Sequence, residues 1–272
     1  MKQRLGILLL FAALFLGACK SNFEKVRTSG NQKLILDKAF EYYEKKQYLR
    51  SQTLFDLVIG TLRGDSRAEK AAYHYAYTYY HQKQYVMAAY YFKTFTSTYI
   101  NSAYREEAAY MSAYCNYLQS PSFRLDQTAT TTAIDEFQTF INLYPQSRRV
   151  TECNKLIDEM RRKLEEKSFA EGQQYFDMKQ YQSAVVSFDN LLRDYPESPD
   201  VERVRFLIAK ANFLLSENSI VEKKEERYAV TIQRCDEFLT KYPNGKYANE
   251  VKNLRKSADE NRKAVRKKLK NV

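Results

Sequence analysis

Two histidines, His74 and His81, stand seven residues apart in a chain of 272. On a helix that spacing puts them on one face, two turns apart. A metal site needs more ligands at compatible spacing, and no carboxylate or cysteine accompanies the pair. Solvated or packing histidines are therefore the reading, with no metal. The pairs Glu106-Glu107 and Glu165-Glu166 fall on charged helix faces, with no cleft to shift their proton affinities. Gly60-Thr61-Leu62-Arg63-Gly64 is not a phosphate-cradling loop and reads as the end of a helix. Cys115, Cys153 and Cys235 are far apart, odd in number and form no CxxC. An oxidising compartment leaves a disulfide open to them, but three small buried apolar residues fit better. No catalytic constellation emerges and no motif implies a cofactor, so the sequence points to a binding protein and not an enzyme.

One cysteine has a different setting. Leu5 to Ala18 is an uncharged apolar run after the basic start Met1-Lys2-Gln3-Arg4, and it stops at Cys19. Fourteen helical residues reach only ~21 Å, short of a ~30 Å hydrocarbon core, so a cleaved export signal (residues 1–18) fits better than a lasting membrane span. Leu16-Gly17-Ala18-Cys19 resembles the bacterial lipobox, which implies that Cys19 is acylated and becomes the mature N-terminus. The plainer alternative is an incidental cysteine in an ordinary signal. A lipid on Cys19 would be the one covalent attachment and would hold the chain to a membrane. In the lipoproteins this motif resembles, an acidic residue after the cysteine goes with retention in the inner membrane. Lys20 thus implies the outer membrane, and the lack of an acidic cluster after it implies a periplasm-facing protein. Residues 19–32 are polar, hold Ser29-Gly30-Asn31, and read as a tether.

The elements behind the tether are helices. Gly is scarce at seven and Pro at five, and apolar residues recur at three and four. Lys46-Gln47-Tyr48, Lys83-Gln84-Tyr85 and Lys179-Gln180-Tyr181 each open one pattern. A small residue (Ser51, Ala88, Ala184) follows three after the tyrosine and a phenylalanine (Phe55, Phe92, Phe188) four beyond that. Ala133 and Phe137 fit the same frame, and Thr231 with Cys235 fit it loosely. Seven residues on come Leu62, Tyr99, Tyr144, Tyr195 and Tyr242, the last three followed by proline. Another small residue lies twelve upstream, at Ala39, Ala76 and Gly172. These offsets resemble the tetratricopeptide repeat, a helix–turn–helix in which small residues let helices A and B approach and proline ends helix B. Ser147 and Ser198 are placed to cap the next helix.

The expected fold is all-α: a tetratricopeptide-repeat superhelix of about five helical pairs plus a C-terminal capping helix. Second helices are expected to start at Tyr48, Tyr85, Thr130, Tyr181 and Tyr228. Spacings above 34 residues imply insertions at Ser120 to Gln127, Arg148 to Glu166 and Asn218 to Glu225. Residues 33–145 would hold repeats one to three, and residues 146–272 repeats four and five, the inserted helix and the basic cap. That cap, from Lys246, keeps Tyr247, Val251, Leu254, Ala258, Val265 and Leu269 on one face. It also carries most of the chain's net charge of +11, with ten Lys/Arg against Glu250, Asp259 and Glu260 between 246 and 270. A solvated face is the plain reading, ahead of an acidic partner or lipid headgroups. Nucleic acid is not an expected partner of an exported lipoprotein.

Sixteen of the 23 tyrosines fall between Tyr42 and Tyr117. In the repeat frame, helix A positions 5, 9 and 12 usually line the groove. They are Leu36, Phe40 and Tyr43, then Tyr73, Tyr77 and Tyr80, then Tyr110, Tyr114 and Tyr117. Tyrosine offers a large apolar surface with a polar tip at low entropic cost, suited to variable peptides. Packing between neighbouring repeats is the competing reading.

A lipobox followed by such repeats resembles the BamD family, lipoproteins of the outer-membrane β-barrel assembly machine. The most specific stretch is SPSFRLDQTATTTAIDEFQTFINLYPQS, residues 120–147, and LLRDYPES, residues 191–198, is a second. The resemblance implies a non-catalytic scaffold. Its N-terminal repeats, here Phe40 to Tyr117, would receive unfolded outer-membrane protein segments. Its C-terminal repeats, with Arg193 and the basic tail, would dock a barrel subunit that has periplasmic domains. The chain departs from the pattern at Leu214, where repeat five would carry an aromatic, and at Arg148 to Glu166. The rival reading is a periplasmic tetratricopeptide scaffold coordinating cell-wall synthesis or division, which would more usually carry an N-terminal coiled coil. A solute-capturing lipoprotein of the SusD type would need a much longer chain.

Overall fold

The computed structural model describes residues 21–270. The signal segment, Cys19 and Lys20 lie outside the described residues. Twelve α-helices are found among the described residues: α1 (Asn22–Arg27), α2 (Gln32–Glu44), α3 (Tyr48–Val58), α4 (Ala68–His81), α5 (Tyr85–Thr98), α6 (Arg105–Gln119), α7 (Thr128–Leu143), α8 (Val150–Asp177), α9 (Tyr181–Asp194), α10 (Val201–Glu217), α11 (Val221–Lys241) and α12 (Ala248–Lys270). Each of α2 to α7 packs on its neighbours in the chain, and α9 to α12 do the same. Two compact units result. One ends at Pro121 and takes up Asp126–Ile157, and the other comprises Ser122–Leu125 and the chain from Asp158 on. The division falls inside α8.

Within each pair the repeat pattern does the packing. Ser51, Ala88, Ala133, Ala184 and Thr231 have no exposed surface, nor do Phe55, Phe92, Phe137, Phe188 and Cys235. A buried hydroxyl needs a partner, and Ser51 Oγ donates to the Ala39 carbonyl at 2.8 Å across the α2–α3 crossing. Where Ala39 and Ala76 have a methyl group, Gly172 has none. A Cβ there would sit 2.6 Å from two ring carbons of Phe188.

The Lys-Gln-Tyr motif proves to be the turn between the two helices. Lys46, Lys83 and Lys179 hold φ of 56°, 60° and 60°, the left-handed region normally given to glycine after a helix. The following glutamine N–H reaches back along the chain, as from Gln47 to the Tyr42 carbonyl at 2.9 Å. Tyr99, Tyr144, Tyr195 and Tyr242 close the second helices. Their N–H groups donate to Phe95, Phe140, Leu191 and Phe238 at 2.8–2.9 Å, and proline then bars continuation after the last three.

The serines three residues later act one step earlier than expected. Ser102, Ser147 and Ser198 accept the N–H two residues on, at 3.0, 3.2 and 3.0 Å, and so fix the connecting turn instead of the first helical turn. Gly245 stands in that place in the last repeat. There Glu202 of the preceding first helix supplies the acceptor, taking the Tyr247 N–H at 3.3 Å.

Three expectations are corrected. The insertion at Asn218 to Glu225 lengthens α11 and not a turn. That helix begins at Val221, seven residues before Tyr228, and its Glu225 is held by Arg262 and Arg266 of α12 at 2.9 and 2.8 Å. The stretch read as a tether contains α1, whose Phe23 ring meets Tyr42 edge-on at 5.7 Å. In α12, Val251 and Ala258 are fully buried, but Leu269 is exposed. The Ser120–Gln127 insertion is a turn as expected, between α6 and α7, and Arg148 to Glu166 becomes the first part of the 28-residue α8. Cys115, Cys153 and Cys235 are free and buried.

Candidate functional site

The first helices of the first three repeats, α2, α4 and α6, supply a layer of rings within the first unit. Positions 5, 9 and 12 of a helix lie on one side because offsets of 4 and 3 advance by about a turn. On α4, Tyr73 meets Tyr77 at 5.0 Å, and Tyr77 meets Tyr80 at 6.0 Å. On α6, Tyr110 stacks on Tyr114 at 5.6 Å and Tyr114 on Tyr117 at 5.8 Å. On α2, Phe40 and Tyr43 both lie edge-on to His74 of α4, at 5.5 and 4.6 Å. The eight aromatic positions chosen from the sequence therefore lie on three successive first helices of one unit.

They are not equivalent. Tyr110 is 3% exposed, closed under the Arg149 guanidinium, which lies 3.9 Å from the ring centroid. Tyr77 packs edge-on against the fully buried Phe92. Its hydroxyl donates to Glu107 Oε1 at 2.8 Å, while Arg149 Nη2 holds Glu107 Oε2 at 2.5 Å. Tyr73 is covered by Tyr104, stacked at 4.4 Å. Burial raises the hydroxyl pKa of Tyr43, Tyr73, Tyr77 and Tyr110, so each remains a neutral donor. Phe40, Tyr43, Tyr73, Tyr77, Tyr80, Tyr114 and Tyr117 are partly exposed, and Tyr110 alone of the eight is buried. Packing and exposure thus coexist on most of these rings.

Sequence reasoning set aside residues that complete the layer. His74 sits between Phe40, Tyr43 and Tyr73. Its Nδ1 lies 2.8 Å from the Lys70 carbonyl, which can only accept, so Nδ1 carries the proton. His81 stacks on Tyr48 at 4.1 Å. Burial lowers both histidine pKa values, helped at His81 by the charge of Lys46, and the neutral rings behave as aromatics. Their spacing of seven residues was the available signal. It marks a shared face, which here faces tyrosines and not a metal. Tyr104, Glu107 and Arg149 carried no signal, since their role depends on which chain segments meet.

Among the described residues, no group of three or more His, Cys, Asp or Glu side chains could hold a metal ion. A concavity in the same unit, about 160 Å³, is lined by Lys93, Arg105, Ser112, Glu136, Phe140 and Tyr144 among others. Glu136 is satisfied there by Lys93, Ser112 and Asn116 at 2.7, 2.8 and 3.0 Å. Arg193, in the second unit, is exposed and pairs with its neighbour Asp194 at 3.0 Å.

Sequential helical pairs, with small residues at each crossing and an aromatic layer along the first helices, define a tetratricopeptide-like protein. Solved structures similar to the chain include a thermophilic TPR protein of Thermus thermophilus (14% identity, 84% of this chain and 98% of that one, TM-score 0.32). Another is a putative kinesin light chain with TPR-like repeats from Podospora anserina (10%, 84% and 100%, 0.32). A third is the apo form of RapI (14%, 84% and 81%, 0.30). None of the curated proteins matches. The YfiO family, described as outer membrane lipoprotein, matches residues 29–185 and 173–261. The chain belongs to that outer membrane lipoprotein family. No helix among the described residues is long and apolar enough to cross a membrane.

Proposed function

We propose that the protein is a non-catalytic scaffold of the outer-membrane β-barrel assembly machinery, facing the periplasm from a lipid on Cys19. The aromatic layer of the first unit receives extended segments of unfolded outer-membrane proteins. The second unit, with Arg193 exposed on α9, docks the periplasmic domains of a barrel subunit. The observation that carries the reading is the run of rings from Phe40 through His74 to Tyr117, spread over three helices and open at its position-12 edge. Partly exposed rings bind alternate side chains of an extended strand without demanding one sequence, and the contacts of Tyr73, Tyr77 and Tyr110 with Tyr104, Glu107 and Arg149 hold the layer in place. The lipid keeps this surface at the membrane, which raises the effective concentration of the docked partner without any new contact.

The test is peptide binding by fluorescence anisotropy, with an aromatic-rich extended strand as ligand. Tyr80→Ala, Tyr114→Ala and Tyr117→Ala remove partly exposed rings and leave Tyr73, Tyr77 and Tyr110 in place. An aromatic contact contributes roughly 0.5–1.5 kcal/mol, so each variant should weaken binding about two- to tenfold. Full affinity in the triple variant, with native helicity, would reject the aromatic layer as the site.

A further inference from the structure

The last helix carries a feature that the peptide reading does not use. Lys252, Lys256, Lys263, Lys267 and Lys270 fall within about 60° of one another around the α12 axis and extend over ~27 Å. All five are exposed. The arginines of α12 are engaged elsewhere. Arg255 holds Asp236 of α11 at 2.5 Å, and Arg262 and Arg266 share Glu225. Lys263 pairs with Asp259 at 2.7 Å. Lys252, Lys256, Lys267 and Lys270 have no ion-pair partner among the described residues, and Glu260 at the border is the other acid nearby. The division is systematic: arginines tie the helix to the fold, and lysines are left facing outward.

We propose that this lysine stripe is a docking surface for anionic phospholipid headgroups. Protein interfaces are built around aromatic residues and arginine and are poor in lysine. The stripe holds no aromatic residue and no arginine. A lysine is a compact charge on a flexible stem, with no fixed geometry to match, and it suits a fluid array of phosphates better than a shaped partner. Clusters of four to eight such charges act on anionic membranes at about fivefold in partitioning per residue. Membership of an outer membrane lipoprotein family keeps the chain beside a bilayer, where weak attraction is enough. The inference rests on that membership and not on the peptide-binding reading.

Vesicle co-sedimentation tests it, using the mature chain from Lys20 on, so that neither an acyl chain nor the apolar run Leu5 to Ala18 contributes. Vesicles are phosphatidylcholine alone, or phosphatidylcholine mixed with phosphatidylglycerol. The chain should partition onto the mixed vesicles at low salt, release as salt rises, and bind phosphatidylcholine weakly. The variant K252Q/K256Q/K267Q/K270Q should lose on the order of 10²–10³-fold. A control of equal charge change, K25Q/K33Q/K155Q/K223Q, takes exposed lysines elsewhere and should lose less than about tenfold. Equal losses in the two variants would reduce the effect to net charge and overturn the proposal. So would wild-type binding by the stripe variant, or no binding by the parent chain. Loss of a co-purifying acidic protein, with vesicle binding intact, would assign the stripe to a protein and overturn it as well.

Discussion

Replacing a lysine by glycine usually weakens a helical protein, yet at three positions here it should strengthen it. Lys46, Lys83 and Lys179 occupy the left-handed region immediately after a helix, with φ of 56–60°. For a residue with a Cβ that conformation costs ~1–2 kcal/mol. Glycine removes the clash but gives up about 0.5–1 kcal/mol in extra unfolded-state freedom. The net gain expected is ~0.5–1 kcal/mol at each turn. The lysine side chains are exposed and make no ion pair among the described residues, so little is lost with them. Lys83 and Lys179 belong to different compact units, so K83G/K179G should gain about 1–2 kcal/mol. Thermal unfolding followed by far-ultraviolet circular dichroism reads this as a rise of roughly 2–4 °C per kcal/mol. A neighbour supplies the control. Lys45 has φ of −78°, and Lys45→Gly should destabilise, because there glycine brings only its entropy. The comparison belongs at high salt, where the exposed Lys45–Glu41 pair contributes little. If Lys46→Gly and Lys45→Gly fell together, the turn would not be held in the left-handed conformation and the argument would fail.

Two further outcomes follow from titratable groups that packing shields from water. Burial depresses His74 and His81, so below ~6.5, the ordinary histidine value, the unfolded chain takes up protons first. Stability should therefore decline from about pH 6.5 downward, before most carboxylates titrate, and H74F/H81F should flatten the slope. An unfolding midpoint that rises between about pH 6.5 and 5 would contradict the neutral-ring reading. Burial also pushes the thiols up, to about 12 at Cys115 and Cys235 and about 11 at Cys153. At about pH 8 these three should resist a thiol reagent in the native state and react together on unfolding. Rapid labelling of any one of them with helicity intact would show that its helix pair is not packed as described.

Most of the fold was legible because the repeat frame is dense in residues with one physical use. Ser51, Ala88 and Ala184 had to be small and Phe55, Phe92 and Phe188 had to be large, and each is fully buried where the frame put it. Pro145, Pro196 and Pro243 marked the ends of helices by local chemistry alone. The α11 start was misjudged because Val221 to Arg227 is charged, and charge alone does not separate a loop from a helix. What decides it is Glu225 meeting Arg262 and Arg266 from 37 and 41 residues away.

The same limit runs through the candidate site. Local sequence determined that eight rings share one side of three helices, because helical periodicity fixes direction from the chain itself. It also placed the starts of second helices at the repeated Lys-Gln-Tyr, whose lysines the structure then shows in the left-handed region. Only the tertiary structure decided which rings are buried. Tyr110 is closed over by Arg149 and Tyr77 is pinned by Glu107, contacts between segments 39 and 30 residues apart. Only the tertiary structure, too, turned two histidines from failed metal ligands into neutral members of an aromatic layer. Burial and partner choice depend on which surfaces meet, and periodicity names a face without naming what covers it.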